Sequence, residues 1–165
     1  MKRAHSILTA ALVAMLTAPA VQAAGDEWRL TINGLSRHFS TDTPRDELNE
    51  RNPGIGLERH MESWYAAAGS YVDSYDCEAG YIGGGQRWRM AEGHGLSLDL
   101  GYLVSAHFRC LDADDPGQKL VPAVVPTVTL GALDGLVQIN ALITPPVKDI
   151  IEDPGVGFSL SIRLP

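Results

Sequence analysis

The chain has 165 residues, of which 13 are Lys or Arg and 20 are Asp or Glu, so its formal net charge is −7 at pH 7. This acidic balance argues against nucleic acid as a partner, because nucleic-acid-binding surfaces carry an excess of positive charge. The length is enough for one domain. After the N-terminal region, no apolar run is long enough for a membrane-spanning helix.

The N-terminal segment has the parts of a secretory signal peptide. Residues 1–5 are basic, residues 7–16 are mostly apolar, and Val21-Gln22-Ala23 is a small-residue cleavage site. An uncleaved membrane anchor is the alternative, but this apolar run is short for one. The sequence therefore predicts a signal peptide over residues 1–23 and one exported domain over residues 24–165. That domain keeps 11 basic and 20 acidic residues, a formal charge of −9.

Alternation of apolar and polar residues predicts β-strands along the whole exported domain. Trp28, Leu30 and Ile32 alternate with polar residues in the first strand, and the last strand alternates in the same way. Pro122 and Pro126 make the sixth strand the least regular, because proline cannot donate to a strand ladder. The eight predicted strands are Trp28–Leu35, Gly54–Arg59, Trp64–Val72, Cys77–Arg89, Leu96–Phe108, Leu120–Leu130, Leu136–Ile143 and Gly155–Leu164.

An even number of hairpin-connected strands lets the last strand pair with the first and close a barrel. The predicted fold class is all-β, an eight-stranded antiparallel up-and-down transmembrane β-barrel. Its interior is expected to be filled by side chains, which excludes a wide pore. Alternation alone does not say which side is apolar, so a soluble lipocalin-like barrel that binds an apolar ligand stays as an alternative.

Two patterns favour the membrane. The connections after strands one, five and seven are long and polar, whereas those after two, four and six are short, as in outer-membrane barrels. Aromatic residues also gather at the strand ends, as bilayer interfaces favour. The predicted aromatic belt at the periplasmic side comprises Trp28, Trp64 and Trp88.

Charged residues lie on the polar faces of the strands. Inside a small barrel they would form a buried ion network, whereas on a soluble barrel they would be a solvated face. The predicted lumen network comprises Arg29, Glu58, Arg87, Asp99 and Arg163.

The domain contains two cysteines, an even pair that in an exported protein indicates one disulfide. Cys77 and Cys110 lie 16 and 17 residues from Gly93, the centre of the hairpin that joins strands four and five. We therefore predict a Cys77–Cys110 disulfide between the outer ends of these two strands.

With these features the chain resembles the small eight-stranded outer-membrane barrels of Gram-negative bacteria. The resemblance implies a monomer in the outer membrane, in contact with its lipids and lipopolysaccharide, with a structural or surface-interaction role. A periplasmic location is the alternative. Such proteins usually end in an aromatic residue, whereas this chain ends in Leu164-Pro165.

A shorter motif resembles the lipid A deacylases, which are also eight-stranded outer-membrane barrels. His38-Phe39-Ser40 is a His-x-Ser unit, and Asn52-Pro53-Gly54 follows it. The resemblance implies that His38 is a general base, Ser40 a nucleophile and Glu50 the residue that orients His38, because a serine needs an oriented base to become nucleophilic. The deacylases carry their motif late in the chain, and a structural turn is the alternative interpretation.

The acidic residues of the predicted outer connections are a candidate site for divalent cations shared with lipopolysaccharide phosphates. No calcium-loop spacing is present, so a solvated acidic surface is the alternative. The sequence contains no nucleotide motif or metal-ligand spacing, and no cofactor is predicted. The acidic residues concerned are Asp42, Asp46, Glu47, Glu50, Asp112, Asp114, Asp115, Asp149, Glu152 and Asp153.

Overall fold

The computed structural model describes residues 26–39, 48–111, 117–145 and 154–165. The predicted signal peptide, Ser40, and all of the acidic loop residues except Glu50 lie outside these ranges. No helix in the described ranges is long and apolar enough to cross a membrane. The eight strands are β1 (Glu27–His38), β2 (Arg51–Met61), β3 (Trp64–Val72), β4 (Glu78–Gly93), β5 (Leu96–Arg109), β6 (Lys119–Ala132), β7 (Val137–Thr144) and β8 (Gly155–Arg163).

These strands form a closed antiparallel barrel in which each strand pairs with its neighbours in sequence. The barrel closes between β1 and β8, where Leu30 lies opposite Ile162. The fold predicted from the alternation is therefore confirmed. The hairpin count gives the reason: with eight strands, β8 runs antiparallel to β1 and can satisfy its free edge.

The connections are of two lengths, at opposite ends of the barrel. At what we call the turn end, β2–β3, β4–β5 and β6–β7 are joined by two to four residues. His94 and Gly95 form the β4–β5 turn with φ angles of 53° and 77°, the left-handed conformation that a two-residue hairpin turn requires. At the loop end, the connection from β3 to β4 covers residues 73–77, and the other three are longer.

The apolar face of the strands points outward. On β1, Trp28 and Ile32 are 49% and 42% exposed, whereas Arg29 and Thr31 between them are 1% and 2% exposed. The same alternation holds on β5, where Val104 is 51% exposed and Leu103 only 4%. A barrel that keeps arginine and threonine inside and large apolar side chains outside has the opposite sidedness to a soluble barrel.

The interior has two regions. Towards the turn end it is polar, with the fully enclosed side chains of Thr127, Thr129 and Asn140. Around the middle of the barrel an apolar cluster lines the wall, formed by Tyr65, Ala67, Leu103 and Val125, with Tyr81, Ala123 and Leu142 against it.

Glycines make room for the lumen tyrosines. A Cβ on Gly85 would clash with the ring of Tyr65, and one on Gly56 or Gly69 would clash with the hydroxyl or the ring of Tyr81. The glycines therefore allow bulky rings to lie flat across the inner face of β2, β3 and β4, which sets the shape of the interior.

The two prolines of β6 lie in the part of the strand that pairs only with β5. Pro122 and Pro126 are opposite Ala106 and Tyr102 of β5, whereas the ladder with β7 begins at Thr127. At these positions no backbone N–H is needed for a hydrogen bond to β7. The strand therefore tolerates both prolines without being interrupted.

The structure corrects three sequence predictions. Trp88 is only 5% exposed and packs on Tyr102 with ring centroids 5.7 Å apart, so it does not share the exposed position of Trp28 and Trp64. Arg163 is 41% exposed at the turn end and lies outside the enclosed lumen. The interior is also not completely filled, because a cavity of about 410 Å³ remains inside the barrel.

Candidate functional site

The candidate site begins at His38, the last residue of β1, which is buried at the loop end. Its Nε2 lies 2.9 Å from the Oγ of Ser74. Ser40, the predicted nucleophile, lies outside the described residues. The serine that the structure places against the imidazole is therefore one that the motif did not include.

Glu50 lies beside His38 but contacts its backbone. The carboxylate accepts a hydrogen bond from the His38 amide at 3.4 Å and one from the Arg37 guanidinium at 2.8 Å. Partial desolvation opposes the ionised form, but these two hydrogen bonds outweigh it and hold the pKa of Glu50 below its ordinary value. Glu50 is therefore an anion, and its hydrogen bonds hold the end of β1 in place.

Ser74 is positioned by the tight β3–β4 connection, which is organised by Asp73. The Asp73 carboxylate is 1% exposed and accepts hydrogen bonds from the backbone amides of Tyr75, Cys77 and Cys110, at 2.9, 3.0 and 3.0 Å. An Asp that caps its own turn in this way is a common turn former. Sequence reasoning identified the turn, but the contact with His38 spans 36 residues and depends on barrel closure.

The predicted disulfide is present between Cys77 and Cys110, with their Cα atoms 6.1 Å apart. These cysteines and Asp73 are the only close group of three His, Cys, Asp or Glu side chains in the described part of the chain. Because the two sulfurs are bonded to each other, this group is not a metal centre. The disulfide links the outer ends of β4 and β5 covalently, and the Asp73 hydrogen bonds hold the same residues together.

His38 and Ser74 border the internal cavity, which runs from the loop end to the middle of the barrel. Its wall carries the apolar cluster defined above and a second group of rings. In that group Tyr81 stacks on His107 at 5.8 Å, and Tyr71 hydrogen-bonds the Nδ1 of His107 at 3.2 Å. Ser105 contacts the other imidazole nitrogen at 2.8 Å. The wall therefore combines an apolar and aromatic stretch with polar side chains, among them Asn33, Asn52 and Thr127.

A buried ion pair forms the floor of the cavity. Arg87 reaches both carboxylate oxygens of Glu58 at 3.3 Å, and His60 contacts the same carboxylate at 2.8 Å. Arg87 also lies over the ring of Tyr65, 4.4 Å from its centroid. Glu58 and Arg87 are thus brought together as the polar faces predicted, and they close the cavity from the turn end.

The other members of the predicted network form separate pairs nearer the turn end. Arg29 and Arg163 share Glu27, at 2.6 and 2.7 Å. Asp99 pairs with Arg89, which also contacts Glu92. The predicted network is therefore divided into three local groups, each held by at least one ion pair.

No family model matches the chain, and no curated protein sequence matches it. Among solved structures, the barrel is similar to the N-terminal β-barrel domain of OprF from Pseudomonas aeruginosa, with a TM-score of 0.49 and 9% identity over 86% of this chain and 100% of that one. It is also similar to the Yersinia pestis outer membrane protein Ail, with a TM-score of 0.39 and 10% identity over 85% and 100% of the two chains. The strand pairing of the present chain defines its barrel independently of these similarities.

Proposed function

We propose that the protein is an integral β-barrel of the bacterial outer membrane with a structural or surface-interaction role. The observation that supports this is the sidedness of the barrel. Large apolar side chains are exposed all around its outer wall, for example Ile55, Ile82, Val124 and Ile139, each at least half exposed. In water this surface would favour aggregation, whereas in a bilayer it faces hydrocarbon and is stable.

The same proposal orients the barrel. The turn end lies in the periplasm and the loop end faces outward, as in outer-membrane barrels. Trp28 and Trp64 are both about half exposed near the turn end, which suits the interface between acyl chains and headgroups. The longer connections and the Cys77–Cys110 disulfide then lie at the cell surface, where the compartment is oxidising.

Cell fractionation tests the location. In an unboiled denaturing gel of the outer-membrane fraction, the closed barrel should migrate differently from the boiled protein. Recovery in the soluble periplasmic extract without a mobility shift would contradict the proposal.

A surface-interaction role assigns the partner-facing surface to the loop end. The acidic residues predicted there supply carboxylates that suit divalent cations shared with lipopolysaccharide phosphates. A strain lacking the protein should become more sensitive to large antibiotics and detergents, and wild-type protein should restore resistance. A variant with the acidic residues of the three long connections changed to amides should fold but restore less. If this variant restored resistance fully, the carboxylates would not contribute to the role.

The Ser74–His38 contact favours a second candidate function, hydrolysis of an acyl ester of lipid A. In this reaction His38 accepts the Ser74 proton as Oγ attacks the ester carbonyl. The bond to the leaving alcohol then breaks, and water releases the fatty acid from the acyl-serine. The mass of lipid A from cells making wild type, Ser74→Ala or Ser40→Ala tests it. Hydrolysis would be supported if lipid A lost one acyl chain in cells making wild type but kept it in cells making a serine variant. Equal acylation of lipid A in all strains would exclude hydrolysis.

A further inference from the structure

The cavity in the barrel has the lining of a ligand site. Its volume of about 410 Å³ lies within the range of small-molecule pockets, which are mostly apolar with a few placed polar groups. Leu103 and Val125 are 4% and 6% exposed on its wall, and Tyr65 is 3% exposed. Along this stretch of the wall water gains few hydrogen bonds, so apolar matter should replace it there favourably.

The charges around the cavity are uneven. Of the described residues that line it, only Glu58, Arg87 and Arg109 are ordinarily charged. Glu58 and Arg87 neutralise each other at the floor, 3.3 Å apart. Arg109 ends β5 at the loop end, where its Nε donates to the carbonyl of Cys110 at 3.2 Å. Arg109 therefore supplies a positive charge at the outer end of the cavity, and no carboxylate within the described ranges forms an ion pair with it.

A chamber with an apolar stretch of wall, a floor closed by an ion pair and a cation near its outer end fits one ligand chemistry. We propose that the loop-end half of the lumen binds a single-chain anionic amphiphile, with the hydrocarbon chain against Leu103, Val125 and Tyr65 and the anionic headgroup at Arg109. The guanidinium suits either a carboxylate or a phosphate headgroup. This binding site is distinct from the structural role proposed above and does not require hydrolysis.

Paramagnetic broadening of methyl signals tests the site in barrels reconstituted in phosphatidylcholine nanodiscs. The probe is a fatty acid with a nitroxide near its terminal methyl. Leu103 and Val125 point inward, while their neighbours Val104 and Val124 are half exposed on the outer wall. A bound chain should broaden the inward methyls saturably at about one probe per barrel. Probe dissolved in the bilayer should broaden only the outward pair, in proportion to its amount.

Competition identifies the headgroup. Unlabelled palmitate and lysophosphatidate are added separately, and either one should restore the inward signals if it is the ligand class that fits. Methyl palmitate keeps the chain without the charge and should compete at least tenfold less well, because it loses a charge-assisted hydrogen bond. If neither anion restores the inward signals, or if inward and outward methyls always broaden in parallel, the proposal is wrong.

Two matched pairs of variants locate the ligand. Ala67→Phe fills the inner wall, whereas Ala68→Phe adds the same ring to an exposed position on the outer face. Only the first should abolish inward broadening. Arg109→Gln should weaken binding about tenfold, whereas Arg51→Gln removes a charge outside the cavity and should not. Heat-modifiable mobility confirms that each variant is folded. A folded Ala67→Phe barrel that still binds, or equal binding by both arginine variants, would overturn the proposal.

Discussion

Asp73 shows how one buried side chain holds the loop end of the barrel together. Its carboxylate accepts three backbone hydrogen bonds that come from both sides of the disulfide. The contact is local for Tyr75 and Cys77, but Cys110 is 37 residues away. A turn with Asp can be predicted from sequence, whereas the long-range hydrogen bond follows only from the pairing of β4 with β5.

We predict that Asp73→Ala destabilises the barrel by about 1–3 kcal/mol, because buried amides lose their acceptor. The free energy of unfolding in urea, measured in lipid vesicles, checks this. Asp73→Asn keeps one acceptor oxygen and should lie between wild type and alanine. Glu78→Gln changes an exposed acid beside the same turn and should have little effect. An alanine variant as stable as wild type would show that the three contacts do not contribute.

Asp26 gives a prediction of pH dependence at the turn end. The hydrogen-bonded guanidinium of Arg59, 2.7 Å away, holds the pKa of the Asp26 carboxyl below its ordinary value. The pair therefore contributes stability above the ordinary pKa of Asp, and this contribution is lost as the pH falls through the lowered pKa of the folded state.

A carbon NMR titration of the Asp26 carboxyl measures this shift. In Arg59→Gln the pKa should return towards the ordinary value, whereas Glu62→Gln, at an exposed turn position, should leave it lowered. An Asp26 pKa that is equal in wild type and Arg59→Gln would contradict the assignment.

At the scale of the elements, strand alternation carried most of the prediction. It located all eight strands, because a strand with lipid on one side and a polar lumen on the other repeats every second residue. Burial of Trp88 was missed because composition places a tryptophan near a strand end but does not show that Tyr102 covers it. The cavity was missed because it depends on which inward residues are small, such as Ala67 and the glycines opposite the tyrosines.

Among the contacts between elements, the disulfide is expected to have the largest effect on the free energy of unfolding. Cys77 and Cys110 are 33 residues apart, and closure of such a loop lowers the entropy of the unfolded chain by an amount that corresponds to about 3–4 kcal/mol. Replacement of both cysteines by serine should lower the free energy of unfolding by up to this amount while leaving the barrel closed. Reduction of the wild type should have the same effect, and a wild type equally stable with and without reductant would contradict it.

At the scale of the whole molecule, the barrel combines an apolar exterior, a polar turn-end half of the lumen and an apolar stretch of wall beside the cavity. Only the first two were expected from sequence. Alternation reports that one face is polar and one apolar, but it does not locate exceptions such as Leu103 and Val125, which are apolar on the inner face. These exceptions form the cavity wall, so the candidate site lies where the simple pattern fails.

The central claim, that the apolar face meets lipid, is tested most directly by tryptophan quenching in vesicles with brominated acyl chains. The chain has three tryptophans, so three single-tryptophan variants report three positions. Trp28 and Trp64, about half exposed, should be quenched strongly, while Trp88, 5% exposed, should be quenched much less. If brominated lipid quenches none of the three in the folded protein, the outer wall does not face hydrocarbon and the membrane assignment is wrong.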